Sequence, residues 1–198
     1  MLSKKQQIVK RIFDLVFSFI GIVIFLLPIL ILIVISTIST KKFGLFSQRR
    51  VGQHARMFTM YKIRTMRCHH DENFITTAND QRITSVGKYL RNHKLDEIPQ
   101  LYNVLIGNMS FVGPRPDVVG YADKLKNNDR IILSVKPGIT GPATLKFRNE
   151  EELLAQQANP KEYNDTVIWN QKIKINRTYI ENWTFLGDLK SIFDTIFS

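Results

Sequence analysis

Apolar and polar positions divide this chain unevenly. From Leu15 to Thr40 no residue is charged, and Ile, Leu, Val and Phe dominate. As straight helix the segment extends about 39 Å, against about 30 Å for the hydrocarbon core of a bilayer. It predicts a helix that enters a membrane; the run is too long for a secretory signal, and no small-residue cleavage site follows. Beyond it, Phe43 to Thr65 predicts a small β-hairpin, with Gly52-Gln53-His54 at the turn and an alternating second arm from Phe58 to Ile63. Helical patterning then prevails. A short helix is expected over Thr84 to Asn92, with Val86, Tyr89 and Leu90 inward. Another opens at Asp96, places Leu101, Val104 and Leu105 on one face, and ends near Gly107. Asp117 to Leu133 reads as mostly helical until Lys136-Pro137-Gly138 breaks it. Asn149 and Glu150-Glu151-Glu152 start an element that Pro160 closes, and two more helices follow, over 165–182 and 184–197. The last carries Phe185, Leu189, Ile192, Phe193, Ile196 and Phe197 at helical spacing after Trp183. Such a stripe suits a core helix or a helix lying in a membrane interface.

Charge changes the picture at the apolar run. The chain carries +11 with a pI of about 9.8, so a polyanionic partner is expected: nucleic acid, an anionic membrane or phosphorylated ligands. Most of the excess lies in the first 50 residues, where Lys4, Lys5, Lys10, Arg11, Lys41, Lys42, Arg49 and Arg50 oppose only Asp14. Basic flanks on both sides argue that both ends stay on the cytoplasmic face. Pro28, near the middle, removes a helix hydrogen bond and favours a bend. Together they give a re-entrant helix; a straight span with a tolerated proline is the alternative that these residues leave open. The expected fold is therefore mainly α with a small β-hairpin, a monotopic membrane protein. Residues 1–42 form the re-entrant helix with its basic flanks, and residues 43–198 a cytoplasmic-face domain ending in amphipathic interfacial helices.

Candidate chemistry concentrates between Arg91 and Pro116. Asp96-Glu97 stands at an expected helix start, with Asp96 as cap and Pro99 in the first turn, and a proline-locked loop presents Arg115. Carboxylate, helix start and arginine suit phosphoryl chemistry, although Asp followed by Glu is also how ordinary helices begin. Lys62 and Arg64, two apart on an extended arm, share a face that would hold an anion or simply meet solvent. Cys68-His69-His70-Asp71-Glu72 lacks a second cluster to complete a zinc pattern and reads as a polar loop. Cys68, alone in the chain, forms no internal disulfide. A membrane-tethered nucleic-acid binder is the competing class, but no helix-turn-helix, zinc knuckle or aromatic RNA-binding signature accompanies the charge.

An ordered series of motifs runs along nearly the whole chain: Phe46-x-Gln48-x-Arg50-x-Gly52, Tyr61-Lys62-Ile63-Arg64-Thr65-Met66, Asp80-x-Arg82-Ile83-Thr84, Leu95-Asp96-Glu97-Ile98-Pro99-Gln100-Leu101-x-Asn103-Val104, Met109-Ser110-x-Val112-Gly113-Pro114-Arg115-Pro116 and Lys136-Pro137-Gly138-Ile139-Thr140-Gly141. The series resembles the bacterial sugar transferases that are monotopic phosphoglycosyl transferases. That resemblance implies transfer of a sugar-1-phosphate from a UDP-sugar, of an N-acetylated or deoxy-amino hexose type, to polyprenyl (undecaprenyl) phosphate at the cytoplasmic face of the bacterial inner membrane. UMP is released, as a first membrane step of glycoconjugate biosynthesis. It implies Asp96 as a nucleophile that carries the phosphosugar covalently, Glu97 as second member of an acidic pair, and Mg²⁺ held by Asp96 and Glu97. Glu97 either ligates the metal or positions Asp96. Lys62, Arg64, Arg91, Arg115 and Arg148 would bind substrate; membrane lipids are expected partners and nucleic acid is not. Two departures stand out: Leu27-Pro28 replaces a Ser-Pro pair at the membrane bend, and Phe147-Arg148 replaces Gly-Arg.

Overall fold

The computed structural model describes residues 2–67 and 80–197; Cys68-His69-His70-Asp71-Glu72 lies outside them. The first helix, α1, runs Lys4–Thr40, and its helical assignment continues through Pro28. Ser3 opens it with a reciprocal cap: its hydroxyl accepts from the Gln6 N–H at 3.3 Å, and the Gln6 side chain accepts from the Ser3 N–H at 2.7 Å. Lys41, in the left-handed region at φ 57°, ends it.

The burial of α1 is inverted. Its buried positions are Lys10, Asp14, Ser18, Ser36 and Thr40, while Ile20, Val23, Leu27, Ile31 and Ile38 are exposed. Water does not drive a helix to bury its charges and expose its leucines; a hydrocarbon solvent does. Both ends rest on one body. Near the start, Arg11 reaches the carbonyls of Val104 and Leu105, and near the end the Ser36 hydroxyl donates to the Arg64 carbonyl. A side chain at Gly44 would overlap the Ile33 carbonyl, so glycine is required for that close approach.

The hairpin forms as expected. Strand β1 (Leu45–Val51) pairs antiparallel with β2 (Met57–Ile63), Arg50 opposite Phe58, and His54 and Ala55 make the turn at positive φ. Next come α2 (Ser85–Asn92), capped by the Thr84 hydroxyl on the Gly87 N–H at 2.9 Å, and α3 (Gln100–Leu105). In α2, Leu90 is buried, but Tyr89 is exposed rather than inward. Phe58 and Met60 of β2, Val104 of α3 and Met109 form one small core; Val51, Ile132, Leu133, Val135, Ile180 and Trp183 belong to a second.

Three expectations are corrected. The stretch from Asp117 to Leu133 is not α-helical: it forms 3₁₀ turns over Ala122–Lys124 and Asn127–Ser134. Gly120 at φ 106° and Asn127 at φ 50° leave the right-handed region and prevent a continuous α-helix. Two short strands, β3 (Ser110–Val112) and β4 (Gly138–Thr140), pair in parallel, which the sequence pattern did not suggest. This pairing lays the Gly113-Pro114-Arg115 loop against Lys136-Pro137-Gly138; a Cβ at Gly113 would stand 2.5 Å from the Lys136 carbonyl oxygen. Pro160 opens an element rather than closing one. After α4 (Pro142–Lys146) and α5 (Glu150–Ala155), it is the first residue of α6 (Pro160–Tyr163), where its missing N–H costs nothing. A π-turn over Asn164–Ile168 then leads into α7 (Trp169–Glu181) and α8 (Phe185–Phe197).

Helix α8 repeats the inversion of α1. Asp188 and Ser191 face the protein, while Leu186, Leu189, Phe193, Ile196 and Phe197 are exposed. Asp188, 3% exposed, pairs with Lys10 of α1 and accepts hydrogen bonds from Tyr179 Oη at 2.7 Å and Trp183 Nε1 at 3.0 Å. A buried carboxylate with three donors is tolerated, whereas removing it strands a buried ammonium. Asp188→Ala is therefore expected to destabilise the protein by roughly 3–5 kcal/mol, read as a lowered unfolding midpoint in detergent.

Candidate active site

Strand β2 carries Phe58, Met60 and Lys62 on one face, the face that packs on α3. Lys62 is thus delivered inward, to the end of an apolar row. Asn103 of α3, fully buried, locks this edge: its Nδ2 donates to the Thr59 carbonyl at 2.7 Å and its Oδ1 accepts from the Tyr61 N–H at 3.0 Å. The acidic pair does not sit where the helix pattern put it. Lys94, at φ 55°, turns the chain into a 3₁₀ turn over Leu95–Glu97, and α3 begins only at Gln100 with Pro99 before it. Asp96 therefore caps nothing, and its carboxylate makes no side-chain hydrogen bond among the described residues.

Glu97 differs sharply from its neighbour. Its Oε1 accepts from Lys62 Nζ at 3.0 Å and from Arg115 Nη2 at 2.6 Å. Burial pushes the Glu97 carboxyl up, but Arg115 and Lys62 outweigh it and hold the group well below the usual carboxylate range. Glu97 in turn raises the Arg115 guanidinium, and burial lowers the Lys62 ammonium against the pull of Glu97. Asp96, 7% exposed, moves the other way. Burial raises its carboxyl; Lys62 opposes this, Glu97 adds to it, and Arg91 and Arg115 oppose it. Two adjacent acids have been pushed apart: one anchored as an anion between two cations, the other desolvated and without a hydrogen bond among the described residues.

The remaining expected site residues are placed as follows. Arg91, in the last turn of α2, belongs to the electrostatic surroundings of Asp96; its guanidinium pairs with Glu151 and donates to Thr65 Oγ1 at 3.4 Å. Arg64 falls just past the end of β2, so it leaves the alternation that would have set it beside Lys62. It donates to the Phe43 carbonyl at 2.8 Å and lies over the Phe46 ring at 5.2 Å. Arg148 donates to the carbonyls of Asp194 and Thr195 at 3.3 and 3.1 Å, at the C-terminal turn of α8, where a cation complements the helix dipole.

Two neighbours escaped the sequence reading. Arg50 donates to the Pro116 carbonyl at 3.2 Å and holds Gln48 Oε1 through Nη2 at 2.7 Å, so the hairpin braces the Arg115 loop. Burial lowers its guanidinium to about 10, with Arg115 adding to that and Asp117 opposing it. Asp117 lines a small cleft with Val51, Pro114, Arg115, Leu133 and Pro137, and burial pushes it up to about 7 against the pull of Lys172, Arg50 and Arg115. Arg50 belongs to a motif and Asp117 directly follows one, but only the folded chain places them beside Arg115.

A metal fits this acid pair in a particular way. Among the described residues no group of three or more His, Cys, Asp or Glu side chains forms a cage. Two adjacent carboxylates, one of them without a hydrogen bond, suit a hard divalent cation that takes its other ligands from phosphates and water.

The bacterial sugar transferase family matches residues 5–198, and the chain belongs to it. It is 34% identical to the uncharacterized sugar transferase EpsL of Bacillus subtilis (strain 168), over 96% of this chain and 86% of that protein. It is 34% identical to the UDP-glucose:undecaprenyl-phosphate glucose-1-phosphate transferase of Klebsiella pneumoniae, over 97% of this chain and 40% of the relative. The undecaprenyl-phosphate galactose phosphotransferase of Salmonella typhimurium (strain LT2) is 30% identical over 98% of this chain and 40% of its own length. The chain thus spans about two fifths of the length of the latter two relatives.

The electrostatics give a pH dependence with a definite sign. With Asp96 as the reacting carboxylate, the role proposed below, turnover would fall as pH drops through its raised pKa. Lys62 is the strongest of the groups lowering that value. Lys62→Met is expected to move the acidic limb of the pH–rate profile to higher pH, measured as UMP release across pH 4–8 (about the range bracketing the limb). A limb that stays in place or moves down would contradict this assignment.

Proposed function

We propose that this chain transfers a sugar-1-phosphate from a UDP-sugar to polyprenyl phosphate through a covalent intermediate on Asp96. The observation that carries the reading is the contrast within the acid pair: Glu97 is held by Lys62 and Arg115, and the Asp96 carboxylate, 7% exposed, has no hydrogen bond among the described residues. One carboxylate oxygen of Asp96 attacks the β-phosphorus of the donor; the bond between that phosphorus and the bridging oxygen breaks, and UMP leaves with that oxygen. A phosphate oxygen of the acceptor then attacks the same phosphorus and releases the Asp96 carboxylate, leaving a polyprenyl-diphosphate sugar. Splitting one displacement into two easier ones is nucleophilic catalysis, and carboxylates serve in it. Arg115 and Arg91 present planar forks that suit phosphate oxygens, and Glu97 keeps Arg115 oriented while donor is absent. Mg²⁺, held by Asp96 and Glu97 together with the donor's diphosphate, would shield the negative charge that a carboxylate nucleophile meets.

The relatives from Klebsiella pneumoniae and Salmonella typhimurium are a glucose-1-phosphate transferase and a galactose phosphotransferase. The family resemblance at the motif level pointed to an N-acetylated hexosamine. A donor panel of UDP-glucose, UDP-galactose and UDP-N-acetylglucosamine with undecaprenyl phosphate separates these. With the accepted donor, Asp96→Asn is expected to lower UMP release by at least about a thousandfold; wild-type turnover in that variant would remove the nucleophile.

The membrane arrangement belongs to the same reading. Both ends of α1 touch the same domain, which supports a re-entrant helix with both flanks on the cytoplasmic side of the cell membrane. The outward apolar faces of α1 and α8 would bring the site to the headgroup level, where a lipid-borne phosphate meets a soluble nucleotide sugar. Single cysteines at Ser3 and Ser47, in a Cys68→Ser background, are expected to be labelled from the same face of sealed vesicles. Labelling from opposite faces would reject re-entry.

A further inference from the structure

Two residues one turn apart on α1 reach both halves of the candidate site. Arg11 donates Nη1 to the Val104 carbonyl at 2.7 Å and Nη2 to the Leu105 carbonyl at 2.8 Å. These carbonyls end α3; the Val104 carbonyl also accepts from the Gly107 N–H at 3.0 Å, so Arg11 grips both the helix end and the turn that follows it. The front of α3 follows directly on the turn that bears Asp96 and Glu97. Asp14, 2% exposed, accepts at Oδ1 from Ser110 Oγ at 3.1 Å and from the Phe111 N–H at 3.0 Å. It thereby holds the first two residues of β3, the strand that runs into Gly113-Pro114-Arg115.

Residues three apart lie on one helix face, so a single turn of α1 grips the acid-bearing limb with one side chain and the arginine-bearing limb with the other. Between the two limbs the chain turns at Gly107, φ 86°, and a Cβ there would stand 3.2 Å from Arg11 Nη2. The guanidinium is seated directly on the turn. The Glu97–Arg115 contact joins the same two limbs on the site side. The limbs are therefore fastened at two levels, once by the site's own ion pair and once by the membrane helix.

We propose that Arg11 and Asp14 are positioning residues that set the separation of Glu97 and Arg115, so that active-site geometry depends on how α1 is seated in the membrane. The proposal rests on the roles given to Glu97 and Arg115 above. Neither residue touches the reacting atoms; each acts through the limb it holds. Misplacing a group that contacts the transferring phosphate by about 1 Å costs on the order of a hundredfold in rate.

Hydrogen exchange on the full chain in lipid nanodiscs tests the coupling without relying on turnover. Asp14→Ala is expected to speed exchange over residues 110–116 and also over 95–105, while residues 45–63 keep wild-type rates. Acceleration confined to 110–116, or spread evenly over the domain, would overturn the proposal. In turnover, the maximal rate of UMP release is expected to fall about thirtyfold in Asp14→Ala, and to recover to within about threefold in Asp14→Asn, which keeps an acceptor oxygen. Combined with Arg115→Lys, the Asp14→Ala loss is expected to shrink to about threefold, because both act through one group; losses that multiply would overturn the proposal. If Asp14→Ala does not fold, Arg11→Lys, which loses the two-pronged grip but keeps the charge, carries the same exchange and turnover comparisons. Absence of all turnover in the wild type would refute the function proposed above, and the exchange pattern would still decide the coupling.

Discussion

Glu97 between Lys62 and Arg115 is the interaction around which the site is arranged. It joins the end of β2, the 3₁₀ turn after Lys94 and the loop after β3, three segments distant in sequence. Glu97 and Lys62 are largely buried while Arg115 is 41% exposed, and such partly desolvated ion pairs give little net stability, since lost solvation offsets much of the attraction. Their effect is on geometry and charge. With Lys62 and Arg115 both committed to Glu97, Asp96 is left to feel burial first, and its carboxyl rises while that of Glu97 falls. Pairs of acids pushed apart in this manner divide labour in many enzymes.

The second organising feature is solvent inversion. In α1 and α8 the polar side chains make the tertiary contacts, and the apolar side chains face outward. Lys10, Arg11 and Asp14 find partners on α8, α3 and β3, so one short stretch of α1 touches most of the architecture near the site. Helix packing in lipid gains little from apolar contact and relies on such polar contacts and on close backbone approach. The approach of Gly44 to the Ile33 carbonyl supplies the latter. The placement of α1 and the construction of the candidate site are thus physically one problem in this protein.

Long, strongly patterned elements were legible in the sequence: the apolar α1, the hairpin, α2, and the final two helices. Asp96, Glu97 and Arg115 stand out in the sequence as candidates, because charged and proline-rich motifs are conspicuous where no core pattern explains them. Tertiary context overrode the local reading elsewhere. Asp96 looks like a cap, yet Lys94 at positive φ moves it into a 3₁₀ turn ahead of the helix. Arg64 looks like the partner of Lys62, yet the strand ends one residue earlier. The stripe on α8 fits core and interface equally well until the buried Asp188 shows which face turns inward.

The sequence by itself determined the long apolar helix, the helical class and the place of the candidate acid pair, because these rest on composition, periodicity and residue type within short windows. Only the tertiary structure decided which acid is anchored and which is unbonded, that Arg50 braces the Arg115 loop, and that β3 pairs with β4. Those facts depend on contacts between residues tens of positions apart. The physical reason is that burial and Coulomb terms are set by neighbours in space, and neither is encoded in any single stretch of chain.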